Sequence, residues 1–298
     1  MIEKVAIIYH FYELNETYRD NFVFFMNTAV DDAADYFVFI SGDCSVPLTD
    51  HENIKYIQIK NKNHDFGGVV EFVRQFNHLS YDAYMFVNSS MRGPFVPTYF
   101  SMPWYDGFLS RLSDTIVMVG GSINILPVSS SFSVRFGDLF DYEPPFIHVQ
   151  TTAYALSSKA FKHLVAAGFY DVEDFLEKED VIARYEIGIS QEVLKQGWSI
   201  SSLLPQYEEF NTGKRSLGYE DTLREGDPLF ENAFFGRSIC PLETIFIKTN
   251  RNMIKESDLN SFTFTSLSTR EKSGGLDQAG RELLNRSHRM LLESTRTG

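Results

Sequence analysis

A run of small and polar residues follows a short apolar stretch in the first third of the chain. The run comprises Asn88, Ser89, Ser90, Met91, Arg92, Gly93 and Pro94. The apolar residues Ala83–Val87 predict a buried strand, which the Gly-Pro turn ends. Ligands of open α/β sheets bind at the carboxyl ends of strands. Hydroxyl and amide groups there can bind sugar hydroxyls or phosphate oxygens, and Arg92 can neutralise a diphosphate. The alternative is a helix-capping turn with Arg92 solvated.

A loop with two glycines follows the third predicted strand. It places Asp65 before Phe66, Gly67 and Gly68. Glycines let the backbone approach a ligand closely, and the start of the following helix offers free N–H groups to an anion. Neither the dinucleotide pattern G-x-G-x-x-G nor the P-loop pattern is present. The loop therefore predicts an anion contact of another kind, or a helix that Asp65 merely caps.

Two further polar residues belong to a predicted strand, His148–Ala155. His148 and Gln150 alternate with Val149, so both polar side chains lie on one face of the strand. We expect that face to line a cleft and to bind acceptor or donor hydroxyls. The alternative is a buried, hydrogen-bonded histidine.

Basic residues on two later loops stand out in an acidic protein. They are Lys214 and Arg215 on one loop and Arg237 on the other. Either arginine could reach a pyrophosphate, although a solvated side chain is the default expectation for each.

Alternating apolar strands and helical patterns must position these residues. The predicted strands are Val5–Tyr9, Tyr36–Ile40, Lys55–Ile59, Ala83–Val87, Ile116–Val119, His148–Ala155, Ser199–Leu204 and Thr244–Ile247. Helices are predicted between the first strands, after Ser157-Ser158 and over Val181–Lys195. This order predicts an α/β fold with a mostly parallel central sheet flanked by helices.

Composition limits the classes of function. The net charge of −13 argues against general nucleic-acid binding, because such proteins need a basic surface. The two cysteines, Cys44 and Cys240, are far apart, which favours neither a disulfide framework nor a zinc site. We find no signal-peptide pattern at the N-terminus and no apolar run of about 20 residues that would span a membrane. We therefore expect a cytoplasmic protein with no transmembrane segment.

The last part of the chain differs in character from the rest. Residues 251–298 carry eight Lys and Arg against six Asp and Glu, and large apolar residues become few. We expect one domain over residues 1–250, followed by a polar tail or linker over 251–298. A weak amphipathic pattern over Leu276–Leu292 predicts a frayed or linker helix.

Several of these motifs and their order resemble one enzyme family. They are Asn88-Ser89-Ser90, Arg92-Gly93-Pro94-Phe95, Trp104, Phe108, His148-Val149-Gln150, Tyr185-Glu186 and Ile247-Lys248-Thr249-Asn250-Arg251. The set, over residues 1–251, resembles GT-A-type glycosyltransferases of bacterial rhamnan and O-antigen synthesis and of large DNA viruses. The resemblance implies a Rossmann-like GT-A domain with a nucleotide-sugar half at 1–156 and an acceptor half at 157–250. It also implies that His10 and Phe11 line the base or ribose pocket and that Asp65 contacts the nucleotide.

The sequence departs from this family at the metal motif. GT-A enzymes usually carry Asp-x-Asp where this chain has Asn88-Ser89-Ser90. The family implies Mn²⁺ or Mg²⁺, but hard cations prefer carboxylates. Metal binding is therefore weakened or moved to another acid, and Arg92 could supply part of the missing charge.

A carboxylate is also needed for the chemistry that the resemblance implies. Transfer with inversion requires a general base beside the acceptor hydroxyl. Glu186 lies early in the predicted helix Val181–Lys195, where related transferases carry a catalytic acid. A solvated helix glutamate is the alternative.

We therefore predict an inverting glycosyltransferase that moves a hexose or deoxyhexose from a nucleoside diphosphate sugar to a glycan acceptor in surface polysaccharide or glycan synthesis. A catalytically silent module of this fold, binding glycans or partners within a longer protein, is the alternative. A nucleotidyltransferase is disfavoured because the glycine-rich basic loop expected after the first strand is missing.

Overall fold

A computed structural model describes residues 2–140, 143–172, 175–214 and 226–297, without the side chains of 294–297. The strands are β1 (Val5–Tyr12), β2 (Ala34–Ser41), β3 (Ile54–Ile59), β4 (Ala83–Asn88), β5 (Met91–Arg92), β6 (Ile116–Gly120), β7 (Ile123–Leu126), β8 (Phe146–Val149), β9 (Ala153–Ser157), β10 (Ser199–Ser202) and β11 (Ile247–Lys248). The α-helices are α1 (Glu16–Thr28), α2 (Gly67–Phe76), α3 (Asp106–Leu109), α4 (Ser131–Phe136), α5 (Ser158–Ala166), α6 (Lys178–Val181), α7 (Gly188–Lys195), α8 (Pro241–Thr244), α9 (Glu256–Lys272) and α10 (Gln278–Thr297).

A mostly parallel sheet forms the centre of the molecule. Across the described residues, seven strands pair in the order β10-β6-β9-β4-β1-β2-β3. All neighbours are parallel except β9, which runs antiparallel to both β4 and β6. The apolar runs that predicted β1, β2 and β4 are buried almost throughout, as expected for strands covered on both faces. The predicted α/β class with a flanked, mostly parallel sheet is confirmed.

Aromatic side chains fill both faces of this sheet. Towards α1, the ring of Tyr9 packs on Phe25 with centroids 4.4 Å apart. Towards α5, Tyr84 stacks on Phe161 at 3.8 Å. Large buried rings of this kind contribute most of the apolar area removed from water, so much of the aromatic content stabilises the core.

Two predicted strands differ from the structure. The stretch His148–Ala155 is not one strand: β8 ends at Val149 and pairs with β7 in a separate two-stranded sheet, while β9 belongs to the central sheet. The Gln150 backbone N–H still bonds the Ser122 carbonyl next to β7 at 3.1 Å, and a turn at Thr151 and Thr152 then leads into β9. The turn residues Thr151 and Thr152 are β-branched and common in strands, so the sequence did not reveal the break.

The other difference concerns Thr244–Ile247. Thr244 ends the short helix α8, whose first turn is stabilised by a hydrogen bond from the Cys240 backbone to the Glu243 carboxylate at 2.8 Å. The strand is only the two residues of β11, which pair antiparallel with β5. This pairing joins the end of the domain to the segment after β4.

The predicted helix Val181–Lys195 is helical throughout but not uniformly α. Between α6 and α7, residues Ile182–Ile187 form a π-helix. Such wider turns are rare and frequently occur at functional sites. This one contains Glu186.

The segment expected to be a polar tail or linker is folded onto the domain. Helices α9 and α10 pack against each other and against α1. Two of their few apolar residues, Leu267 and Leu283, are buried. Polar contacts supply the rest: Arg286 pairs with Glu16 and Asp20 on α1. A polar sequence can therefore dock when its partner surface carries complementary charges. No helix of the described residues has the length and apolar character to cross a membrane.

Candidate functional site

The carboxyl ends of β1 and β4 lie side by side, with His10 opposite Asn88. The His10 ring is buried, and its nitrogens contact the Ser41 hydroxyl at 2.6 Å and the Asp65 carbonyl oxygen at 3.0 Å. Burial lowers the pKa of His10, so the neutral ring is favoured. His10 thus fixes the loop that carries Asp65.

The two glycines of that loop are explained by close packing. A Cβ at Gly68 would lie 3.0 Å from the His10 ring, and one at Gly67 only 2.3 Å from the Lys62 carbonyl oxygen. The loop therefore sits directly on the first strand. Phe11 points to the opposite face, where it is fully buried and stacks on Phe22 at 4.2 Å. The structure does not bring Phe11 to the site, because alternation along β1 directs it into the core.

Residues 88–92, here called the polar loop, bond mainly to one another and to β1. Asn88 Oδ1 accepts from the Ser90 backbone N–H at 3.1 Å and from the Ser90 hydroxyl at 2.6 Å. The Ser89 hydroxyl contacts the backbone N–H and carbonyl of Tyr12, both at 3.2 Å. All three side chains are buried. The loop is therefore a closed, preformed turn.

Arg92 is buried beneath this loop and faces α1 and α9. Its Nε donates to Asn21 Oδ1 at 2.8 Å, and one terminal nitrogen lies 3.4 Å from the Thr263 hydroxyl. Burial lowers the pKa of Arg92 to about 10 despite the nearby Asp20 carboxylate. Arg92 lines a cavity of about 390 Å³ between α1, α9 and α10. Arg92 thus has partners within the protein, and the two-pronged diphosphate contact stays a prediction.

Five charged side chains, here called the charged site, interact near this edge of the sheet. They are Asp65, Glu186, Asp227, Lys248 and Arg251. Asp65 is exposed and the others are partly buried, so the site is open to solvent on one side. Its two cations, Lys248 and Arg251, are far in sequence from the predicted donor loops.

Glu186 has the most strongly shifted carboxyl of this group. Its pKa is raised to about 7, mainly by burial and also by the Asp65 and Asp227 carboxylates, against the lowering effect of Lys248. Burial, together with the Arg251 charge, also lowers the pKa of Lys248. A carboxylate that exchanges its proton near neutral pH is suited to general acid–base catalysis. Sequence reasoning identified this residue as the candidate base.

Residues 248–251, here called the basic segment, lie against the polar loop. Lys248 is opposite Met91 in the β5–β11 pair, and the Thr249 backbone N–H donates to the Ser90 carbonyl at 3.1 Å. Sequence reasoning quoted this segment as part of a family resemblance but assigned no role to Lys248 or Arg251. The signal that could have identified them is a pair of cations directly after a short apolar run in a strongly acidic chain.

Gln150 joins the rim of the charged site, whereas His148 does not. Gln150 Nε2 donates to Asp227 Oδ1 at 2.9 Å, and Arg251 lies 3.6 Å from the other Asp227 oxygen. The Arg251 guanidinium also stacks over the Phe230 ring at 4.0 Å. His148 is buried on β8, and burial lowers its pKa to about 4. Gln150 directly follows β8, and the expectation that the two side chains share one face and line a cleft stays a prediction.

The basic residues of the later loops have other partners. Arg237 makes a two-pronged contact with Glu243, at 2.7 and 2.6 Å, which anchors the loop before α8. Lys214 lies over the Phe210 ring at 5.2 Å. Arg215 falls outside the described residues.

The polar loop does not fit a hard divalent cation. The Asn88 oxygen that could bind one accepts two hydrogen bonds from Ser90, and the loop contains no carboxylate. Over the part of the chain that the structure describes, no three His, Cys, Asp or Glu side chains form a metal-binding group. The Mn²⁺ or Mg²⁺ that the resemblance implies therefore has no matching ligand set at Asn88-Ser89-Ser90.

No protein-family model and no curated protein sequence matches the chain. Among solved structures, the chain is similar to a mannosyltransferase from Pyrobaculum calidifontis in complex with GDP-Man and Mn²⁺. The two chains are 11% identical with a TM-score of 0.38, and the match covers 66% of this chain and 53% of the mannosyltransferase. It is also similar to galactosyltransferase LgtC in complex with donor and acceptor sugar analogs, with 9% identity, TM-score 0.35, and coverage of 62% and 71%. A third is an inositol-1-phosphate CTP transferase from T. maritima, with 9% identity, TM-score 0.32, and coverage of 67% and 84%. The chain thus spans about half the length of the mannosyltransferase, and these distant likenesses assign no activity to it.

Proposed function

We propose that this protein is an inverting, GT-A-type glycosyltransferase that moves a hexose or deoxyhexose from a nucleoside diphosphate sugar to a glycan acceptor. The observation that carries the proposal is Glu186: its pKa is raised to about 7, it lies on a π-helical turn, and it interacts electrostatically with Lys248. This arrangement supplies a base that works near neutral pH next to a cation.

Glu186 acts as the general base in this proposal. It accepts the proton of the acceptor hydroxyl while the acceptor oxygen forms a bond to the anomeric carbon of the donor. The bond from that carbon to the diphosphate oxygen breaks on the opposite face, and its electron pair leaves with the diphosphate. The anomeric configuration is therefore inverted.

Lys248 and Arg251 stabilise the negative charge that develops on the departing diphosphate. Both belong to the basic segment, and both interact electrostatically with one another and with the acids of the site. Cations fixed in place before the reaction lower the barrier because they need not reorganise in the transition state. This role replaces the one that the sequence analysis gave to Arg92.

The remaining predicted residues form the donor and acceptor subsites. Asp65 contacts the nucleotide, and Gly67 lets the loop approach it. His10, Asn88, Ser89, Ser90 and Arg92 support this surface from below through their hydrogen bonds. Gln150, held by Asp227, contacts the acceptor. We place the reaction in cytoplasmic synthesis of a surface polysaccharide or another glycan.

A catalytically silent glycan-binding module is the second candidate. It is favoured by one observation: the side chains of the polar loop use their hydrogen-bonding groups on one another and on neighbouring backbone. The polar groups of such a loop have hydrogen-bond partners without a bound nucleotide sugar.

Calorimetric titration with UDP-, GDP- and dTDP-sugars, with and without Mn²⁺, separates the two candidates when it is combined with a donor hydrolysis assay. We expect one nucleotide class to bind and to be hydrolysed slowly. Binding that requires Mn²⁺ would move the metal to the acids of the charged site, since the polar loop offers no carboxylate. Glycan binding without nucleotide binding would establish the silent module.

A further inference from the structure

Asn21 is an uncharged residue of α1 whose side chain is completely buried behind the polar loop. Its Oδ1 accepts from Arg92 Nε at 2.8 Å. Its Nδ2 donates to the Ser89 carbonyl and to the Thr249 hydroxyl, both at 2.9 Å. Because Arg92 Nε can only donate and a carbonyl can only accept, chemistry fixes the orientation of the amide. Asn21 uses both ends of its side chain to join three segments.

Thr249 extends this connection. Its hydroxyl accepts from Asn21 and donates to the Ser90 carbonyl at 3.1 Å, and its backbone N–H donates to the same carbonyl, also at 3.1 Å. The polar loop and the basic segment are therefore held together partly by their own pairing and partly by Asn21. Lys248 pairs with Met91 in β5–β11 and directly precedes Thr249, so its backbone position depends on both contacts.

We propose that Asn21 is a positioning residue for the charged site. By holding the polar loop against the basic segment, it fixes the backbone of Lys248, whose charge acts on Glu186. The inference rests on the proposed function for its catalytic consequence, although the positioning itself can be measured without turnover.

The hydrogen bonds of Asn21 act on Glu186 through the position of the Lys248 charge. The groups that influence Glu186 are Lys248 and Lys178, which lower its pKa, and Asp65 and Asp227, which raise it. The Tyr154 phenol is a further neighbour. Because Lys248 is the first of the lowering influences, displacing it raises the pKa of Glu186.

The test is a pH titration of the Glu186 carboxyl by ¹³C NMR on glutamate-labelled full chain, with the signal assigned by its loss in Glu186→Gln. Asn21→Ala is compared with wild type and with Asn27→Ala. Asn27 is a matched control because it is buried on the same helix but bonds the Val23 carbonyl and the Asp277 backbone instead. We expect the midpoint to rise by at least about half a pH unit in Asn21→Ala only.

An unchanged midpoint in Asn21→Ala, or an equal rise in both variants, would overturn the proposal. If Asn21→Ala does not fold, Thr249→Val replaces it. This change removes the hydroxyl that bonds Asn21 and the Ser90 carbonyl but keeps the shape of the side chain. It should raise the midpoint in the same direction.

A second readout separates this inference from the proposed function. In an active enzyme, Asn21→Ala lowers kcat at least about tenfold with little change in donor KM, whereas Asn27→Ala alters neither beyond the loss of folded protein. Should wild type hydrolyse no nucleotide sugar, the proposed function fails while the NMR titration still decides the positioning role.

Discussion

The polar loop and the charged site meet at the same edge of the sheet but use their polar groups differently. In the polar loop, Asn88, Ser89 and Ser90 are buried and bonded to nearby groups, which makes the loop a rigid support. In the charged site, Glu186 and Lys248 are partly buried, and each has a pKa displaced from its ordinary value. Under the proposed function, the charged site would carry the reaction and the polar loop would hold its geometry.

Replacing the proposed base should have the largest effect. Glu186→Gln keeps the shape of the side chain but cannot accept the acceptor proton, so we expect kcat to fall about 10³-fold with little change in donor affinity. Steady-state transfer kinetics measure this, and wild-type kcat should decline below about pH 7 as Glu186 becomes protonated.

Glu192→Gln is the control, because Glu192 lies on the adjoining helix and pairs with His163 at 3.1 Å. Equal activity losses in the two variants would exclude a specific role for Glu186.

Removing the proposed leaving-group cation should have the next largest effect. Lys248→Met preserves much of the aliphatic stem and removes the charge, and we expect kcat to fall about 10²-fold. A comparison of donors with good and poor leaving groups checks the mechanism, since the defect should shrink with a better leaving group. Lys195→Met, at an exposed position on α7, should be nearly neutral. A Lys248→Met enzyme with full activity would assign the charge stabilisation elsewhere.

The raised pKa of Glu186 also predicts a stability effect. In the folded state this pKa is about 7, above its ordinary value of 4.5, so folding favours the protonated carboxyl. The stability that it contributes is present below about pH 4.5 and is lost as pH rises through 7. Glu186→Gln removes this loss of stability, because glutamine carries no ionisable carboxyl. We expect the variant to be about 2 kcal/mol more stable than wild type at pH 8. This figure is smaller than the full pKa shift would give because the partly buried carboxylate keeps some of its solvation.

Urea unfolding of both proteins at pH 5 and pH 8 measures this difference. The stability advantage of Glu186→Gln should be much smaller at pH 5. A stability advantage of the same size at pH 5 and pH 8 would mean that the pKa of Glu186 is not raised in the folded protein.

The sequence predicted the parts of this arrangement that depend on local pattern. Apolar runs located β1, β2, β3, β4 and β6 of the central sheet, and the position of Glu186 in a helix followed from periodicity. The grouping of Glu186 with Lys248 and Arg251 depends on the β5–β11 pairing, which brings together residues about 150 positions apart in the chain. A two-residue strand has no periodicity to detect.

The docking of α9 and α10 was hidden for a related reason. Their contacts with α1 rely on charge pairs such as Arg286 with Asp20, and charge complementarity between distant segments leaves no local signature. Likewise, the polarity of Arg92 indicated a ligand contact, whereas its actual partners, Asn21 and Thr263, come from helices on either side in sequence.

The smallest predicted effect tests whether the polar loop is only a support. Ser89→Ala removes the hydroxyl that contacts both backbone groups of Tyr12 at 3.2 Å. One such contact is worth about 1 kcal/mol, so we expect a loss of that size in urea unfolding and a donor affinity within about twofold of wild type. Calorimetry with the best-binding nucleotide sugar decides the point. A tenfold or greater loss of affinity would mean that the loop opens to hold the donor directly, and the division between support and reactive site would then have to be withdrawn.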